Sequence, residues 1–337
     1  MGAGIFGLSI AFICMKRGAR VQVIDPNGVG AGSSGGIVGA LAPHTPENWN
    51  AKKQFQLESL LMAEAFWADV ESVSGLSPGY GRHGRVQAID TERALELAGA
   101  RTDGAQKLWQ GKAHWTVQKP VGDWAPYSAM KQVIFDTLSA RIHPRQACES
   151  LAQALRRGGV TVKSVGDPQG RVIWATGYQG LLDLSATYEK PVGNGVKGQA
   201  LALKYTAPKD APQLFASGIH VIPHDNGTVA IGSTSERDFA DATTTDAQLD
   251  DLHQRALAIC PVLEGAPIVQ RWAGVRPRAK SRAPMLGAWP DRKGHFIANG
   301  GFKIGFGMAP KVAVTMADLV LDQRDTIPEG FRVSDNF

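Results

Sequence analysis

The stretch MGAGIFGLSIAFICMKRGARVQVID, Met1–Asp25, decides how the rest of the chain is read. Gly2, Gly4 and Gly7 have the spacing of a dinucleotide-binding turn. The first glycine permits a tight turn, the second lets a pyrophosphate approach the backbone, and the third lets a helix pack close to a sheet. A helix over Leu8–Lys16 would point its N-terminal N–H groups at the phosphates. Gly18 stands where a helix stop belongs. Arg20–Asp25 then reads as a strand ending in a carboxylate suited to a ribose hydroxyl. An ordinary βα turn shares the glycine spacing, but not the capping glycine, the strand and the terminal Asp in that order. The motif should follow a strand, and only Met1 precedes Gly2; the expectation is a start displaced into the natural gene, or a cut chain, with two interior strand edges left unpaired.

Composition sets the bounds. The chain has 337 residues, 43% of them hydrophobic and 20% charged, which is a globular balance large enough for two domains. Net charge is +5 with Lys and Arg dispersed, a mild preference for anionic ligands without an RNA-binding, zinc or helix-turn-helix signature. Cys14, Cys148 and Cys260 are few, odd in number and far apart. They indicate neither a disulfide framework nor a metal site, and a cytoplasmic, reducing setting is expected. Gly2–Met15 is apolar but lacks a basic flank and a cleavage site, and is too short to span a membrane.

Downstream, Pro26–Pro43 is rich in Gly, Ala and Ser, and so able to lie against a flat ligand. Asn50–Ser74 reads as an amphipathic helix with Phe55, Leu60, Phe66 and Trp67 on its apolar positions, broken by Gly75–Gly79. A strand over Gly84–Ile89, a helix over Thr91–Ala100 and an extended Lys112–Lys119 follow. Pro144–Gly159 is a helix and Val160–Val165 a strand. Arg171–Gly177 is an apolar strand ending in Ala175-Thr176-Gly177. Gly198–Lys204, then His220–Gly232 with its turn at Asp225-Asn-Gly227, read as antiparallel strands. Asp246–Cys260 is a helix and Gln270–Pro277 a strand. His295–Ala298 is a strand, Asn299–Gly307 a glycine-rich loop and Ala309–Leu321 a final helix. Nucleotide-type βα elements thus occur at the beginning, middle and end. The expected class is mixed α/β: a Rossmann-like domain from residues 1–45, 134–190 and 268–337, and an antiparallel-sheet domain from 46–133 and 191–267.

The order and spacing of Gly2–Asp25, Gly30–Pro43, Ala175–Gly177, Ile222–Gly232, Trp272-Ala-Gly-Val-Arg-Pro277 and Gly300–Pro310 resemble the FAD-dependent amine and amino-acid oxidases of the D-amino-acid oxidase superfamily, and most closely glycine oxidase-like members. The resemblance implies non-covalent FAD, with Gly2, Gly4, Ile5, Phe6, Gly7, Asp25 and Pro26 around its ADP half. Ser33, Ser34, Gly35, Ala40 and Leu41, with Ala175, Thr176 and Gly177, would lie near the pyrophosphate and ring. Gly301, Lys303, Ile304 and Gly305 would line the pyrimidine edge, where N–H groups and a cation stabilise the reduced ring. It places Arg276 on the substrate carboxylate, with His44, Tyr80 and His224 as further substrate-side residues. It implies hydride transfer from an amino acid or secondary amine to flavin N5 and hydrolysis of the resulting imine. Oxygen or another acceptor would complete the cycle. Lys303 and Ile304 stand where glycine oxidase-like members carry Arg and Asn. Two other readings stay open: a flavoprotein acting on a modified tRNA base, and a homologue that has lost FAD.

Overall fold

The opening glycines do begin a helix. In the computed structural model, which describes residues 1–337, the first helix is Ile5–Lys16, starting three residues earlier than expected because Gly4 is its N-cap. Gly2 has φ +98°, a left-handed conformation that favours glycine, and a side chain there would also strike the Ala175 carbonyl. Gly7 has no room for a Cβ because its face lies on the Gly2 carbonyl, so the third glycine sets the close approach of helix and turn.

The strand expected over Arg20–Asp25 is reduced to Val23–Ile24, paired in parallel with Val162–Lys163. A second small sheet holds Met285–Ala288, His295–Asn299 and Val172–Trp174, the last two parallel. Met1–Gly2 lies between these two sheets and ties them. The Met1 ammonium donates to the Ile173 carbonyl at 2.8 Å, Ala175 N–H to the Met1 carbonyl at 2.8 Å, and Gly2 N–H to the Ile24 carbonyl at 2.8 Å. These bonds bridge the two edges at one level only; Met1–Gly2 forms no strand and the two sheets stay separate, as expected of a glycine turn without its preceding strand.

Helices Ile5–Lys16, Ala51–Ser74, Pro144–Arg157 and Gly305–Asp322 pack on one another beside these strands. Asn50 caps the second, its side chain accepting from Lys53 N–H at 3.1 Å, and Gly75 at φ +69° ends it. The expected apolar positions Phe55, Leu60, Phe66 and Trp67 are all buried. Phe302–Asp322 is long and apolar enough to cross a membrane, yet most of it is buried inside this helix layer.

The larger sheet has eight strands, in the order Ile268–Ala279, Gly193–Lys204, Thr228–Gly232, Ile219–His224, Gln213–Ala216, Arg85–Ile89, Gln132–Asp136 and Trp115–Gln118. Alternation along Gly193–Lys204 sorts its faces. Leu201 and Leu203 join the core beneath helix Ala247–Ile259, whereas Ala200 and Ala202 pack with Ile37 on the opposite face. Small side chains on that second face leave space above the sheet.

Some expectations need correction. Strand Ile268–Ala279 pairs along its length with Gly193–Lys204, so it belongs to the large sheet and not with the rest of 268–337. Gln132–Asp136 lies in the same sheet and straddles the boundary expected at 134. The helix capped by Thr91 continues to Trp109, through two glycines, because Ala98, Ala105 and Trp109 are buried. Gly177–Thr187 is an unexpected helix, and Gln213–Ala216 and Met285–Ala288 are unexpected strands. The final helix begins at Gly305, inside the stretch read as a loop.

Candidate active site

Between the glycine turn and the large sheet lies a cavity of about 810 Å³. Its wall takes residues from Met1–Phe6, Ile24–Asn27, Ala31–Pro43, Ala175–Gly180 and Gly301–Phe306, so segments far apart in sequence meet at one space. Of the residues expected there, Gly2, Gly4, Ile5, Phe6, Asp25, Pro26, Ser33, Ser34, Ala40, His44, Ala175, Thr176, Gly177, Arg276, Gly301, Lys303, Ile304 and Gly305 line it.

Its dinucleotide end has unmet donors. Of the four orphan N–H groups at the start of helix Ile5–Lys16, only that of Ile5 has a partner, Ser34 Oγ at 2.9 Å; those of Gly4, Phe6 and Gly7 have none within the chain. The Asp25 carboxylate accepts from Ala3 N–H at 2.7 Å and from Asn27 N–H at 2.9 Å, which fixes its plane and leaves lone pairs for a ligand hydroxyl. Unpaired N–H groups on a helix N-terminus, beside a crevice floored by glycine, fit a pyrophosphate.

The opposite end is cationic. Arg276 is buried on strand Ile268–Ala279; its Nη2 donates to Ser233 Oγ at 2.5 Å and its Nη1 to the Thr234 carbonyl at 3.3 Å. Burial pushes it down to about 10, which keeps it charged at neutral pH. Glu236, bonded to Gln199 Nε2 at 3.1 Å, supplies the opposing charge. The guanidinium lies on Gly198 of the neighbouring strand, where any Cβ would run into it. We expect Gly198→Ala to displace the fork and weaken binding of a carboxylate in the cavity by about tenfold, the loss of one charge-assisted bond. Calorimetry with a simple carboxylate checks this. Lys303 is held below its ordinary range by burial and by the Arg276 charge, and its Nζ lies 5.8 Å from the centre of the Phe302 ring. His44 is fixed by Gln56, whose Oε1 lies 2.5 Å from His44 Nδ1 and accepts from the His44 N–H at 2.7 Å.

Five expected residues are not on the wall. Gly7 packs against Gly2, and Gly35 against the Gly30 carbonyl. Leu41 points away from the cavity because Ala40 points into it on the same strand. Tyr80 is turned into the main core, its hydroxyl pushed up to about 12 by burial. His224 sits at the hairpin end, beyond the cavity. Its Nε2 lies 2.9 Å from the Ile37 carbonyl and its ring 4.7 Å from His143, so it supports the Gly/Ser segment from behind.

Burial, foremost, and neighbouring positive charge lower His224 to about 4, below the ordinary histidine value. Its stabilising contribution is therefore complete above about pH 6.5 and is lost as pH falls to about 4, since the unfolded chain takes up the proton first. We expect His224→Gln to lose about 2 kcal/mol less stability than the parent between pH 7 and pH 5. Denaturant titrations at the two pH values check this; equal losses would remove His224 from the acid response.

Several wall residues were not singled out from sequence: Arg85, Phe215, His220, Trp272 and Phe302. Trp272 had a signal, since it opens the Trp-x-Gly-x-Arg-Pro run. The others lie on strands or turns whose neighbours are set only by the sheet order.

Comparison with known proteins bears on this geometry. A family model described as FAD dependent oxidoreductase matches residues 1–319. Glycine oxidase of Pseudomonas putida is 27% identical over 363 aligned positions, covering 98% of this chain and 97% of its own. The crystal structure of glycine oxidase from Geobacillus kaustophilus superposes with a TM-score of 0.82 at 21% identity, covering 98% of this chain and 96% of its own. That of iminodiacetate oxidase from Chelativorans sp. BNC1 gives 0.81 at 21% identity, covering 98% and 97%. At these identities the two structures establish the shared fold.

Proposed function

The chain belongs to the FAD-dependent oxidoreductase family of D-amino-acid oxidase type, and from that premise we propose that it oxidises the carbon–nitrogen bond of an amino acid or secondary amine. Bound FAD supplies the two-electron acceptor. Gly4 and Phe6 N–H groups hold its pyrophosphate and Asp25 its ribose. Gly2 and Gly301 keep the backbone close, and Ser33, Ser34, Thr176, Ile304 and Gly305 border the remainder. We assign non-covalent attachment, with no cysteine on the wall to carry a link.

Arg276 receives the substrate carboxylate on its free edge, because Ser233 and Thr234 fix the other edge. That grip orients the amine-bearing carbon towards the isoalloxazine position. Lys303 offsets the negative charge that develops there. Ile37, Val38, Phe215, Trp272 and Phe302 keep the space apolar, which strengthens both charge contacts. No side-chain base is required for a neutral amine, since positioning and dryness supply the catalysis. Oxygen is the acceptor we assign to the second half-reaction. The three thiols are free and buried, which suits a reducing compartment, and we place the reaction in the cytoplasm.

The observation that carries this reading is a fixed, buried guanidinium facing the same cavity as the unpaired N–H groups of the glycine turn. The test is the visible spectrum of purified protein, followed by anaerobic mixing with amino acids and N-methyl amines. A yellow protein bleached by at least one carboxylate-bearing amine, and recoloured by air with release of peroxide, is the expected result. A yellow protein that none of them bleaches would overturn it.

A further inference from the structure

One buried cation on the cavity wall has no task in that scheme. Arg85 opens strand Arg85–Ile89, and its side chain is 7% exposed. Its Nε donates to Asp136 Oδ2 at 3.0 Å. Asp136 is fully buried, and its other oxygen accepts from Ser139 N–H at 2.8 Å, so the carboxylate fixes the guanidinium from behind. Both Nη groups of Arg85 make no hydrogen bond within the chain. They lie at the cavity, with the guanidinium carbon 5.7 Å from the centre of the Phe215 ring.

The Nη pair is open to the cavity, and it has the shape of a carboxylate fork. Carboxylates of the chain do not answer it: Asp136 is committed to the Nε side, and Glu236 faces Lys197 and Gln199. His220, beside Phe215, is lowered to about 3 by burial and by the charges of Arg85 and Lys303, so it stays neutral and adds no competing cation.

We infer that Arg85 is a second anion anchor, and that the substrate is an amine bearing two carboxylates, one on Arg276 and the other on Arg85. This rests on the role of Arg276 proposed above. The sheet register gives the spacing. Arg276 bonds Ser233, which follows Gly232; Gly232 pairs with His220, and His220 with Phe215, against which Arg85 lies. The Arg276 fork lies between Gly198 and Ser233, so the two anchors sit two to three strand spacings apart, about 10–14 Å. A second carboxylate on the reacting carbon is too close. The distal one stands on a spacer of several atoms.

The test uses FAD-loaded enzyme and straight-chain α,ω-dicarboxylates of increasing length, each against the monocarboxylate of equal length. None carries an amine, so only binding is read, by calorimetry and by the shift of the visible spectrum. The expected result is an optimum length at which the dicarboxylate binds about tenfold or more tightly than its monocarboxylate, the worth of one charge-assisted bond. Arg85→Gln and Arg85→Lys should each abolish that preference while leaving monocarboxylate binding unchanged. The lysine variant retains a cation for Asp136 and so separates recognition from folding. The absence of any length preference in the parent enzyme, or its survival in a folded Arg85 variant, would overturn the proposal. Monocarboxylate binding unmoved by Arg276→Gln would overturn this proposal and the reading beneath it together.

Discussion

Arg276→Gln is expected to lower kcat/KM for carboxylate-bearing amines by about 100-fold or more, mostly through KM, while FAD remains bound. The magnitude follows from removing a charged partner from a desolvated pair, which costs about 2–5 kcal/mol. The local structure makes the loss specific. Ser233 and Thr234 hold one edge of the guanidinium, so the edge left for a ligand is preset and little ordering remains to be done on binding. Glu236 keeps Lys197 and Gln199 when Arg276 is neutralised, so the fold is expected to persist. Its charge then lacks the opposing guanidinium and further disfavours an incoming carboxylate. Arg276→Lys should recover only part of the loss, since an ammonium restores charge without the planar fork. An amine without a carboxylate should be indifferent to both changes. Steady-state kinetics with the paired substrates decide the matter, and an unchanged KM would remove Arg276 from substrate binding.

What could be read from sequence divides along a physical line. The glycine turn, Asp25 and the Trp272–Pro277 run carry information in local spacing, and they line one cavity in the structure. The same holds for the caps at Asn50, Thr91 and Asp246, whose side chains bond the next turn. Arg85 and His220 were invisible because their neighbourhood depends on strand order. Arg85–Ile89 runs parallel to Gln213–Ala216, a strand more than a hundred residues later, and no local pattern reports such a pairing. His220 and His224 lie on one strand with equal parity, so alternation points both to the same face. Only distance along the strand separates the wall residue from the one pressed against His143. Tyr80 failed for a related reason: its loop, bonded back to Arg141, turns the ring into the core. The helix over Gly177–Thr187 was hidden behind a glycine that looked like a strand end, although Leu181 and Leu184 supply its buried face.

Gly4→Val and Gly7→Ala, three residues apart, should fail in opposite ways. Gly4 has φ −80° and ψ −179°, a conformation open to any residue, and an added Cβ meets only Ser34 Oγ, at 3.1 Å. The polypeptide therefore tolerates a side chain there, but the side chain enters the space in which a pyrophosphate approaches Gly4 and Phe6. Overpacking of that kind costs about 1–3 kcal/mol, and the lost backbone contacts add to it, so FAD affinity should drop about 100-fold. The purified variant should be folded and colourless. Gly7 does not line the cavity; its missing Cβ is what lets the helix lie on the Gly2 carbonyl. Gly7→Ala should therefore destabilise the cofactor-free protein itself by about 1–3 kcal/mol, through the displaced helix. Thermal melts with and without FAD distinguish the two. At a ligand concentration 100 times Kd the parent gains about 2.7 kcal/mol from FAD. Gly4→Val should melt like the parent without FAD and gain almost nothing from it. Gly7→Ala should start lower. A Gly4→Val protein that stays yellow and is still stabilised by FAD would show that the dinucleotide does not approach the second glycine, and the placement of FAD on the opening turn would have to be given up.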